Sequence, residues 1–187
     1  MHTPGFTKFH HRIILLLVLP LFLTSCDFQC NLGVTERDKT ADGRMELQIS
    51  KLYNGIQLKT NKLNVNKAYL IDGETGERIE NSNFVDFTSP VKLILMFDET
   101  GWNTEGGMVI PGASETIRNE EGRIILDEKD LFENIEGVTP EDVKVISLTA
   151  NIQLDKNSPP TKFDISFRVW DKRGPGSVEG SYTLYSK

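Results

Sequence analysis

Strict alternation of apolar and polar residues in the C-terminal third constrains this chain more than any other feature. In TKFDISFRVWDK, Phe163, Ile165, Phe167 and Val169 share one side, and Lys162, Asp164, Ser166 and Arg168 share the other. Successive strand side chains point to opposite faces, so this is the pattern of a strand buried on one face. VKVISLTANIQLD repeats it through Ile146, Leu148, Ala150, Ile152 and Leu154. SVEGSYTLYSK repeats it through Val178, Gly180, Tyr182 and Leu184. The links DKNSPP and DKRGPGS are rich in turn formers. Three such segments joined by short links are expected to form an antiparallel meander.

Earlier segments follow the same logic less cleanly. MELQISKLY alternates through Leu47, Ile49 and Tyr53 and ends at Asn54-Gly55. That pair predicts a two-residue hairpin turn, because both central residues of such a turn need positive φ. KAYLIDGETGERIE reads as a second hairpin around Asp72 to Gly76. VKLILMFDE is apolar on both sides, which predicts a central, covered strand. GRIIL, with Ile124 and Ile125, follows a polar turn at Asn119 to Gly122. Helix is scarce. Asp127 is a candidate cap for a short turn through Leu131, Phe132 and Ile135. Thr139-Pro140-Glu141-Asp142 starts like a helix but has no length behind it. The expected fold is mostly β: an antiparallel β-sandwich with one or two short helical turns.

The N-terminus has a different character. Lys8, His10, His11 and Arg12 precede an apolar run from Ile13 to Leu23, and no acid precedes Asp27. A membrane-spanning helix needs roughly 20 apolar residues, and Pro20 sits inside this shorter run. A basic start, a short apolar stretch and small residues make the layout of a secretory signal peptide. The run ends at Leu23-Thr24-Ser25-Cys26, which resembles the lipobox of bacterial lipoproteins. The resemblance implies lipid attachment at Cys26, removal of residues 1–25, and a chain tethered to a membrane of the cell envelope without spanning it. It leaves open which membrane. Residues 26–44 are polar and without sustained periodicity, and are expected to be a flexible tether. Residues 45–187 are expected to form a single sandwich domain.

Composition then excludes chemistry. Lys8 and Arg12 leave with the signal peptide, so the mature chain has 19 Lys and Arg against 27 Asp and Glu, a net charge of −8. That argues against nucleic acid, whose phosphates call for clustered cations. It also argues against a polybasic attraction to anionic lipid. His2, His10 and His11 are the only histidines, and all lie in the removed segment. Catalytic triads built on imidazole and histidine zinc sites are therefore unavailable. With Cys26 acylated, Cys30 is the one remaining thiol, so no intramolecular disulfide can form. There is no Gly-rich phosphate loop and no Walker motif. Hence no enzymatic activity and no cofactor are expected.

MVIPGASETIRNEEGRIILDEKDLF, together with VWDKRGPGSVEGSYTL, resembles small cell-envelope lipoproteins of gut-type bacteria. That resemblance implies an immunoglobulin-like or C2-like sandwich and assigns no chemistry. Trp102, in FDETGWNTEGG, and Trp170, opposite the apolar face of its strand, are candidate contacts for a ligand or partner. The acidic stretches at Asp98, Glu99 and Glu105, and at Asp127, Glu128 and Asp130, lack a calcium-loop pattern, and no metal is expected there. The chain thus reads as a lipid-anchored, non-enzymatic module that binds an envelope protein or supports an assembly. The alternative is a surface protein that binds a glycan through its tryptophans.

Overall fold

The structure is a computed structural model in which residues 51–154 and 158–187 are described. The apolar run, Cys26, Cys30, the expected tether and residues 45–50 of MELQISKLY, with Leu47 and Ile49, lie outside the described residues. Ten strands are described: β1 (Lys51–Leu52), β2 (Gln57–Asn61), β3 (Val65–Asp72), β4 (Phe84–Val85), β5 (Val91–Phe97), β6 (Pro111–Asn119), β7 (Ile124–Glu128), β8 (Val145–Ala150), β9 (Lys162–Asp171) and β10 (Ser177–Ser186). One 3₁₀ turn, Asp142–Lys144, leads into β8. Among the described residues no helix is long and apolar enough to cross a membrane.

Two sheets enclose one apolar core. The first has the order β1-β3-β5-β8; the second runs β2-β10-β9-β6-β7, with β4 also paired to β10. Pairing is antiparallel except at two short edges, β1 with β3 and β4 with β10. This is a mostly β fold of two stacked sheets, as in immunoglobulin-like and C2-like sandwiches. The core follows from the period of two. Ala68, Leu70, Leu93, Leu95, Ile146 and Leu148 come from one sheet, and Ile117, Phe163, Ile165, Phe167, Val169, Val178 and Leu184 from the other. Strand β5 is flanked by β3 and β8, and even its outward Ile94 is buried, as a run apolar on both sides predicts.

Three local expectations change once the strands are placed. The last three strands are not one meander. β9 and β10 form a hairpin, but β8 pairs with β5 in the other sheet. Alternation sets which side of a strand is buried, and both sheets bury an identical-looking face. Likewise, Asn54 (φ 57°) and Gly55 (φ 61°) do adopt the positive-φ turn. Its two flanks then separate, β1 to one sheet and β2 to the other. Finally, Asp127 belongs to β7 and pairs with Lys129 at 2.6 Å. The carboxylate that caps the following turn is Asp130, whose Oδ1 accepts the Phe132 N–H at 3.0 Å.

Buried polar side chains close the ends of the sandwich. Asn54 Nδ2 donates to Asn83 Oδ1 (2.8 Å) and to the Glu80 carbonyl (2.9 Å), while its Oδ1 accepts the Leu70 N–H (3.0 Å). Asn83 Nδ2 donates in turn to the Thr183 carbonyl at 2.7 Å. This pair therefore ties β3 of one sheet to β10 of the other. Elsewhere the buried Asp171 carboxylate accepts the N–H groups of Asn103 (2.5 Å) and Arg173 (2.9 Å), which fixes the loop carrying Trp102 to the β9–β10 turn.

Candidate functional site

The outward positions of the second sheet build a shallow groove. Ser114 and Thr116 on β6, Ser166 and Arg168 on β9, and Glu179 and Ser181 on β10 are short or hydrogen-bonding side chains. Gln57 and Lys59 on β2 complete the wall, and the groove holds about 510 Å³. These residues alternate with core positions, so the same period that buries Phe167 exposes Ser166 and Arg168. The Arg168 Nε lies 3.7 Å from Glu179 Oε1, and its guanidinium carbon stands 5.5 Å from the centre of the Trp170 ring.

The two tryptophans do not share a surface. Trp170 faces outward and is half-buried. It lies against Gly112, its cross-strand partner on β6, where an added Cβ would fall 2.2 Å from indole Cε2. Only glycine leaves that space. Trp102 turns inward instead. Its ring meets Phe97 edge-on at 5.5 Å, packs on the core, and has a buried Nε1 with no hydrogen-bond partner. Of the two candidate contacts, only Trp170 stands at the groove side of the molecule.

Apart from Glu128, the acidic side chains of the two stretches are already engaged. Asp98 accepts both the N–H and the hydroxyl of Thr100, Glu99 pairs with Lys144 at 2.5 Å, and Glu105 pairs with Arg173 at 3.5 Å. Lys129 and the Thr116 hydroxyl hold the Asp127 carboxyl below its ordinary range, and Asp130 pairs with Lys172 at 2.7 Å. Among the described residues no three Asp, Glu, Cys or His side chains are grouped to hold a metal ion.

A different feature stands out at the far edge of the second sheet. Strand β7 has β6 on one side and no strand on the other among the described residues. Its Ile124 and Ile125 are 50% and 49% exposed. The pairing shifts between Ile117 and Arg118, skipping Ile125, so both isoleucines escape the core while Leu126 packs against it. Adjacent exposed isoleucines on an open strand edge are an invitation to another strand.

Strand β6 also carries the least expected group. Its small and polar residues gave no strand signal, yet it is nine residues long and central enough to bury Glu115 to 1% exposure. Neither carboxylate oxygen has a hydrogen-bond partner, and burial pushes the carboxyl up to about 7. The Tyr182 hydroxyl is likewise buried without a partner, and burial together with the nearby Glu115 charge pushes that phenol up as well. The signal in the sequence is the alternation Ala113, Glu115, Ile117, legible only once the segment is known to be a strand. No family model matches this chain, and no curated protein matches it.

Proposed function

We propose that this chain is a lipid-anchored protein of the bacterial cell envelope, held through Cys26, whose sandwich is a non-enzymatic module that binds a protein partner. The observation that carries the reading is the open β7 edge with Ile124 and Ile125 half exposed. A partner supplying an extended strand would satisfy the edge N–H and C=O groups and cover both isoleucines. The lack of an assembled catalytic or metal-binding group among the described residues fits a binding role. Anchoring rests on Leu23-Thr24-Ser25-Cys26 at the end of the apolar run.

A glycan is the second reading, and Trp170 beside a groove of hydroxyl and charged side chains favours it. A sugar stacking on that indole would have to displace the Arg168 guanidinium. That cost places the protein partner first.

The test is a crosslinking amino acid placed at Glu128 on β7 in the membrane-bound chain. The expected result is one defined envelope protein captured by the parent and lost with Ile124→Lys/Ile125→Lys, with Trp170→Ala unchanged. Binding on a glycan array that Trp170→Ala abolishes would select the second reading. Intact mass of the mature chain checks the anchor: an unmodified Cys26 would overturn it.

A further inference from the structure

The outward face of the first sheet segregates charge in a way that the net charge hides. Pairing across the sheet sets Lys51 beside Lys67, and the rows Lys67–Met96–Val145, Tyr69–Ile94–Ser147 and Ile71–Lys92–Thr149 follow. Arg78 joins this face by a bridge to Ile71. Its guanidinium carbon stands 4.1 Å from the Tyr53 ring centre and 4.9 Å from that of Tyr69, and Lys67 Nζ lies 5.1 Å from the latter. Four cations and two tyrosines thus occupy one face, and no Asp or Glu projects from its strand rows. None of the four cations has an ion-pair partner among the described residues; the same holds for Lys59, Lys62, Arg118 and Lys187, so it is the grouping of these four on one face that sets them apart.

We infer that this face docks on an anionic lipid surface and orients the tethered domain against its own membrane. Cations gathered on one face attract anionic headgroups, and tyrosine is a ring that sits well at a membrane–water interface. The exposed Val145 and partly exposed Met96 add apolar contact at the same rows. The envelope setting rests on the anchoring proposed above, but the attraction itself does not.

The mature chain, residues 26–187, carrying Cys26→Ser has neither the apolar run nor an acyl group and separates the two. It is sedimented with vesicles of phosphatidylcholine alone and with about 30 mol% phosphatidylglycerol. The bound fraction is expected to rise severalfold on the anionic vesicles and to return to the neutral level at about 0.5 M salt. Lys67→Glu/Arg78→Glu should remove the anionic preference, while Lys59→Glu/Lys129→Glu, on the other sheet, should keep it. Unchanged thermal melting confirms that the variants fold. Equal binding to both vesicle types, or a preference that survives Lys67→Glu/Arg78→Glu, would overturn the inference. So would a salt-sensitive attachment to an acidic polypeptide with none to vesicles. An unacylated wild-type Cys26 would fail the anchor and leave the vesicle result to be judged separately.

Discussion

Glu115 and Phe167 face each other across β6 and β9 on the buried side of the sheet, so a carboxylate without a hydrogen-bond partner lies beside an aromatic ring in the core. Beyond Phe167 on the same row comes Gly180, whose missing side chain makes room for the ring: an added Cβ there would fall 2.4 Å from Phe167 Cζ. An unpaired buried charge is costly, and the carboxyl meets that cost by holding its proton.

Stability should therefore depend on pH in a defined window. The folded carboxyl titrates near about 7 against an ordinary 4.5. Between those values the folded chain keeps a proton that the unfolded chain has lost. The Glu115 contribution is fully present below about pH 4.5, falls as pH rises to about 7, and is then flat, a loss of about 3 kcal/mol. Glu115→Leu should remove this slope in urea melts at several pH values. An unchanged slope would mean that another group titrates. The Asp72 carboxyl, held down to about 2 by the Ser89 hydroxyl and the Thr75 N–H, acts at the other end. Its contribution is lost only as pH falls from about 3.8 towards 2.

Phe167 and Arg168 are neighbours in sequence with opposite fates. Phe167→Ala should cost about 3–5 kcal/mol through lost burial and a cavity. Arg168→Ala removes an exposed ion pair and a ring contact and should cost less than about 1 kcal/mol. Chemical denaturation of both variants reads the difference, and equal effects would contradict the register of β9.

Gly112→Ala should dislodge Trp170. The new methyl would overlap the indole, so the ring must swing into solvent, at a cost of about 1–3 kcal/mol. Tryptophan emission should shift to the red, and the shift should vanish in a Trp170→Phe background, since Trp102 reports from the core side.

Asn54 combines a positive φ with hydrogen bonds to both neighbouring segments. Asn54→Ala should cost about 3 kcal/mol from lost and orphaned hydrogen bonds. Asn54→Gly recovers the backbone strain, about 1 kcal/mol, and none of the network. If glycine restored full stability, the amide would have no role in joining the sheets.

Much of the fold was written locally. Period-two alternation determined the strands around Phe167, Leu148 and Tyr182 and which of their sides is buried, because a strand's facing depends on its own residues alone. The turn at Asn54-Gly55 was equally legible, since positive φ is a property of those two residues. The absence of histidine from the chain after residue 25 restricts the available chemistry whatever the fold. Everything that depended on distant partners was decided by tertiary structure. Which sheet each strand joins separated β8 from β9 and β1 from β2. Glu115 looked like any polar residue of a turn-rich segment until pairing with β9 carried it inside. Trp102 faced the core because Phe97 was there to receive it. The net charge of the chain argued against anionic lipid, yet folding collected Lys51, Lys67, Arg78 and Lys92 on one face whose outward strand positions carry no carboxylate. Electrostatic attraction is set by charge within about a Debye length of the surface, and a sum over the sequence carries no such distances.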